Sequence, residues 1–213
     1  MKTIVCFGDS NSYGTPPMPH PDFWGRFGPD ERWPGVMRRA VGADITAIEE
    51  ALPGRTTVHD DPIEGADRNG LKALPMVLGS HRPIDLLIIN LGTNDLKARF
   101  SVTADDIAAS VGVLVRFTQA SQAGPNSSAP KVLVVAPAII LETSFFREYF
   151  QGGAEKSRGF ARAFGAMATR LGVPLLDAAS LITSDPLDGI HLDPSQHAIL
   201  GQALAEKVRT ILT

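Results

Sequence analysis

Cysteine is almost missing from this chain: Cys6 is the single one among 213 residues. No disulfide can form within the chain, and the place of Cys6 in an apolar run suits a small buried hydrophobe. No apolar run approaches the ~20 residues of a membrane span. An excess of one charge is lacking too: 20 Lys and Arg face 23 Asp and Glu, a net of −3, which gives no pull toward nucleic acid or an anionic membrane. Neither a G-x-G-x-x-G nor a P-loop occurs, which weakens a nucleotide-binding reading. His191 and His197 have no HExxH or CxxC company, so no metal and no other cofactor is expected. Met1-Lys2 passes straight into an apolar run with no A-x-A site after it, and a cytoplasmic location is the expectation. What is present is ordinary: 44% hydrophobic and 20% charged residues, at a length that suits one α/β domain spanning 1–213 with a real core.

Apolar runs alternate with segments of helical period. Ile4–Phe7, Asp85–Leu91 (DLLIINL) and Lys131–Ala136 (KVLVVA) are near-continuous aliphatic, as parallel strands covered on both faces should be. Asp44–Glu50 alternates like a less buried strand, and Val173–Leu176 is a short fifth. Helices are predicted over Arg32–Val41, Asn69–Gly79, Thr103–Ser121, Ala154–Leu171 and Ser195–Leu212, with Thr103 and Ser195 as caps. The alternation predicts a three-layer αβα sandwich around a five-stranded parallel sheet. No internal repeat or linker interrupts it. The segment 14–32 is long, Pro-rich and aromatic, and loops of that kind are usually functional.

In such sheets ligands bind beyond the carboxyl ends of the strands, where strand order reverses. The residues after the strands are therefore the informative ones. Gly8-Asp9-Ser10 follows the first, Pro53-Gly54-Arg55 the second, Gly92-Thr93-Asn94-Asp95 the third, and Asp188-Gly189-Ile190-His191 comes after the fifth. Each alone reads as turn chemistry, and Pro53-Gly54 fits a type II turn. Together they bring a hydroxyl, a glycine N–H, an amide and a carboxylate–imidazole pair to one rim. A serine needs a base to become nucleophilic, and the imidazole of His191 can serve as one. Asp188, three positions earlier, can orient the imidazole. Asp95 and Asp177 are rival acids without that spacing. The N–H groups of Ser10 and Gly54 and the Asn94 amide would receive an oxyanion.

FGDS, the Gly54 block, GTND and DGIH resemble the four blocks of the SGNH hydrolases, or GDSL-type esterases, over essentially the whole chain. CFGDS, RWPGV, IEEALPGRTT, DLLIINLGTND and DGIHL are especially similar to the bacterial arylesterase and acyltransferase branch. The resemblance implies a flavodoxin-like sheet order, a Ser10–His191–Asp188 triad, an oxyanion hole of Ser10, Gly54 and Asn94, and a homo-oligomer. It has one departure, Asn11 where the family usually has Leu, which bears on the lining of the acyl pocket. The G-x-S-x-G elbow of the unrelated α/β-hydrolases is absent around Ser10.

The expected substrate is a small-molecule ester, acetyl-like on the acid side, with an aryl or alkyl alcohol leaving and transfer to other alcohols in competition. Walls are expected from Phe23, Trp24 and Phe27 in the 14–32 segment, and from Phe145, Phe146, Tyr149 and Phe150 in Thr143–Gly153, the latter also suited to a subunit contact. Asn11, Tyr13, Arg55, Lys97, Phe146, Phe150 and Leu192 are candidate substrate contacts. A carbohydrate O-acetylesterase is the alternative within hydrolases, and a flavodoxin-like nucleotide-binding module the alternative outside them.

Overall fold

A computed structural model describes all of residues 1–213. Five strands, β1 (Lys2–Gly8), β2 (Ile45–Ala51), β3 (Leu86–Asn90), β4 (Lys131–Ala136) and β5 (Leu175–Asp177), form one parallel sheet in the order β2-β1-β3-β4-β5. This is the flavodoxin-like order expected, and chain direction across the sheet reverses between β1 and β3.

Why the strands are so apolar follows from the two cores. Val5 and Phe7 of β1 enter one cluster with Leu87, Ile89, Val132 and Val134, while Ile4 and Cys6 enter the other with Leu86, Ile88, Leu133 and Val135. Successive side chains on the central strands thus meet opposite helical layers, where a polar group needs a partner within the protein. Burial of Cys6 pushes its thiol pKa far up, consistent with a packing role.

Six α-helices lie between the strands, α1 (Ser10–Tyr13), α2 (Trp33–Val41), α3 (Gly70–His81), α4 (Ala104–Gln119), α5 (Gly153–Arg158) and α6 (Phe160–Leu171), and α7 (Pro194–Leu212) follows the last. No helix is long and apolar enough to cross a membrane. Thr103 caps α4 as expected, in a capping box with Asp106.

Two expectations need correction, and one short helix was not foreseen. The helix expected over 154–171 is two, broken at Gly159, where the backbone passes so near α4 that a Cβ would lie 3.0 Å from that of Ala104. The cap of α7 is Asp193, which accepts from the N–H groups of Ser195 and Gln196, with Pro194 as first helical residue; a carboxylate beside the helix N-terminus outdoes a neutral serine. The turn α1, too short to show a period, is a helix capped by Asp9 through Asn11 N–H at 3.0 Å and ended by Gly14.

His197 ties α7 to α2: its Nδ1 accepts the backbone N–H of Trp33 at 3.3 Å, in full burial. Burial, aided by the charge at His191, depresses its pKa to about 4. The neutral form is therefore the folded form, whereas the unfolded chain takes up a proton near pH 6.5. Stability from this group is complete above pH 6.5 and lost as pH falls from there toward 4, by about 3 kcal/mol. Urea unfolding at stepped pH should show this acid slope in the wild type and a shallower one in His197→Gln; equal slopes would count against the assignment.

Candidate active site

Three strand ends and one long return loop meet at the reversal point of the sheet. β1 ends at Gly8, Asp9 caps α1, and Ser10 stands as the first residue of that turn. The imidazole Nε2 of His191 lies 3.1 Å from Ser10 Oγ, and its Nδ1 lies 2.6 Å from Asp188 Oδ2. With Nδ1–H donating to the carboxylate, Nε2 is left to accept from the serine hydroxyl. That is the order of contacts a hydroxyl nucleophile requires.

Asp188 is fully buried, yet its charge is well met. Oδ1 accepts the N–H groups of Ile190 and His191, both at 2.9 Å, and Oδ2 accepts His191 Nδ1 and the N–H of Met18 at 2.7 Å. Burial alone would raise its pKa, but the hydrogen bond and charge of His191, followed by the two backbone donors of its own turn, outweigh burial and hold it below the usual carboxylate range. The rival acids are occupied elsewhere. Asp177 accepts from Ala179 N–H at the end of β5. Asp95, also fully buried, accepts from Thr57 N–H, Thr57 Oγ1 at 2.6 Å and His59 Nδ1 at 2.8 Å.

That last cluster matters because Asp95 adjoins Asn94. It fastens the turn after β3 to the turn after β2, where Arg55 N–H closes on Leu52 O and Gly54 sits at φ +79°, as a type II turn demands. The positive φ favours glycine there, and a Cβ would stand 2.6 Å from Glu64 Oε2, the mobile end of a side chain. The hydrogen bond to Asp95 raises the pKa of His59, favouring its charged form. Asn94 Nδ2 is buried with no acceptor, and the N–H groups of Ser10 and Gly54 likewise find none in the protein. A buried donor left unmet costs about 1–3 kcal/mol. All three belong to residues that line one cavity, where an oxygen of a bound molecule could meet them.

Ser10, Gly54, Asn94 and His191 all line one cavity of about 660 Å³. Met18, Phe23 and Trp24 from the 14–32 segment and Phe145, Phe146, Tyr149 and Phe150 from the loop after β4 wall it. The Phe146 ring centroid lies 6.1 Å from that of His191. Tyr13 and Lys97 are on the cavity too, although the Lys97 ammonium is held by Asp61 and Glu64.

Other expected contacts are elsewhere. Arg55 is buried behind the site, its guanidinium 4.4 Å from the Phe7 ring centroid and bonded to the carbonyls of Gly8 and Glu50 at the ends of β1 and β2. Burial lowers its pKa to about 10, so it stays charged at neutrality. Asn11 turns away from the cavity to give its amide to Ile190 O at 3.1 Å, joining the serine turn to the histidine loop. Leu192 is core, in the cluster with α2 and α7, and Phe27 packs edge-on against His197. Arg55, Asn11 and Leu192 directly follow Gly54, Ser10 and His191, and adjacency in sequence did not fix the direction of the side chain. Ile63, Glu64 and Arg68, which do line the cavity, were missed. They lie in an irregular stretch without period or motif, and the only pointer was its position between the Gly54 block and α3.

The model of the GDSL-like lipase/acylhydrolase family matches residues 6–199. Among solved structures, the aryl esterase of M. smegmatis is 44% identical with a TM-score of 0.94, over 99% of this chain and 100% of that one. A carbohydrate acetylesterase from Sinorhizobium meliloti is 39% identical with a TM-score of 0.94, again over 99% and 100%. A carbohydrate acetylesterase family member from the same organism is 35% identical with a TM-score of 0.93, over 100% and 99%. Among curated proteins none matches the chain.

The Asp95 cluster yields a separable test. In Asp95→Asn the carboxylate charge is gone and one of its donors loses an acceptor, so the turn bearing Asn94 is less firmly held. The expected result is a fall of about tenfold in kcat with a lesser change in KM, in a protein that still folds. Steady-state kinetics with a thermal melt of the variant check it.

Proposed function

Since the chain belongs to the GDSL-like lipase/acylhydrolase family, we propose that residues 1–213 act as one catalytic domain in which Ser10 carries the acyl group. His191 takes the proton of Ser10 as Oγ bonds to the ester carbonyl carbon. The carbonyl oxygen becomes an oxyanion held by the N–H groups of Ser10 and Gly54 and by Asn94 Nδ2. As the C–O bond to the alcohol breaks, His191 returns its proton to the leaving oxygen. Water then repeats the sequence on the acyl-enzyme and frees the acid. Asp188 stays ionised throughout and stabilises the imidazolium.

The observation that carries this reading is the single imidazole bridging Ser10 and Asp188, at 3.1 and 2.6 Å, beside an unsatisfied Asn94 amide. Substrate size is read from the cavity, whose aromatic walls suit a small acyl group with an aryl or alkyl alcohol. The names of the similar structures, aryl esterase and carbohydrate acetylesterase, support acetyl-like esters. A carbohydrate acetate is the second candidate; relative turnover of acetylated sugars and phenyl acetate separates the two. Where water is poorly admitted, an alcohol can take the acyl group in its place. Exposed Trp24 (92%) and Ile63 (73%) at the cavity mouth favour a homo-oligomer that covers them.

A p-nitrophenyl ester series tests the core of the reading. Turnover should fall with acyl chain length in the wild type, and Ser10→Ala should lose about 10³-fold or more. Undiminished turnover in Ser10→Ala would refute the nucleophile. Asn94→Ala should lose about 10²–10³-fold, chiefly in kcat. With a primary alcohol added to the ester in water, a new ester should form above the uncatalysed rate; its absence would remove the transfer activity.

A further inference from the structure

Two polar atoms beside Gly54 have no work in the mechanism. Glu64 is anchored by one carboxylate oxygen only: Oε1 lies 2.7 Å from Lys97 Nζ and 3.2 Å from Arg99 Nη2. Both cations also hold Asp61, at 3.3 and 2.8 Å. Glu64 Oε2 accepts no hydrogen bond from the protein and points at Gly54, 2.6 Å from where a Cβ would be. Arg68 Nε lies 3.1 Å from that same point and is likewise unpartnered, its Nη1 being bonded to Asp67. Glu64 and Arg68 both line the cavity that holds Ser10 and His191.

A lone acceptor and a lone donor flank the oxyanion glycine, and their signs select what can sit between them. Within the Glu64–Asp61–Lys97–Arg99 cluster two carboxylates balance two cations, so no net field draws an ion. A carboxylate on the substrate would face Glu64 Oε2, and an ammonium would face Arg68. A neutral group that both donates and accepts satisfies both, and a hydroxyl is the smallest that an ester can carry there. An aliphatic group in its place leaves both atoms unmet in a partly enclosed site.

We propose that Glu64 and Arg68 are specificity-determining residues that receive a free hydroxyl carried by the ester close to its reacting bond. The inference rests on the reading of Ser10 as nucleophile. Arg68 binds the hydroxyl oxygen, Glu64 takes its hydrogen bond, and Lys97 fixes Glu64 from behind. This makes Lys97 a positioning residue.

Isosteric ester pairs test it, because each differs only by hydroxyl against methyl. 2-Hydroxyethyl acetate against n-propyl acetate places the group on the alcohol side; methyl glycolate against methyl propanoate places it on the acid side. A hydroxyl also alters intrinsic ester reactivity, so the readout is how each kcat/KM ratio changes between wild type and variant. Glu64→Gln keeps an oxygen for Lys97 but offers an amide donor in place of Oε2, and Arg68→Met keeps the stem without the donor. Each should lower the hydroxyl preference about tenfold in at least one pair, and the pair that responds names the side of the ester. Ratios unmoved in both pairs and in every variant that folds would overturn the proposal. Ser10→Ala on the same esters keeps the two readings apart: if it retains turnover the nucleophile assignment fails, while the ratios still decide the hydroxyl subsite.

Discussion

One carboxylate organises the site. Asp188 stands in full burial with four hydrogen bonds on two oxygens, and a buried anion persists only where it is met so completely. Two donors come from its own turn, one from the imidazole it orients, and one from the 14–32 segment that roofs the cavity. Remove that anion and the imidazole loses its tautomer, the DGIH turn loses its inner bonds and the roof loses its tie. The same oxygen that orients the His191 imidazole thus also ties down the segment along the cavity.

The sheet supplies the other half of the geometry. Because β1, β2 and β3 are parallel neighbours, their carboxyl ends finish at one level, and three short turns can present Ser10, Gly54 and Asn94 side by side. The apolar strands below are packed against helices on both faces and leave little room for adjustment. Asp95 and Arg55 complete the rigidity from behind, one pinning the turn after β3 to the turn after β2, the other binding carbonyls where β1 and β2 end. A receptor for negative oxygen works only if its donors do not have to move to meet it.

Much of this was legible in the sequence because the signals are local and strong. Near-continuous aliphatic runs named the buried strands, and the polar residues behind each run named the site. The three-residue spacing of Asp188 and His191 gave their pairing. What the sequence hid was direction. Arg55, Asn11 and Leu192 adjoin reacting groups yet face carbonyls or core, since a turn can send consecutive side chains anywhere. Ser195 looked a sufficient cap until Asp193, two residues earlier, competed with a full charge. Glu64 and Arg68 belong to a stretch with no period, so only their folded contacts with Gly54, Lys97 and Asp67 give them meaning.

The bond from Met18 to Asp188 carries a practical consequence for anyone reshaping this protein. Because the segment framing the doorway shares an acceptor atom with the imidazole, reshaping it also slackens the carboxylate that holds His191 in place. The width of the doorway and the setting of the imidazole are therefore mechanically linked, and a remodelled doorway that spares the backbone at Met18 has the better prospect of keeping both.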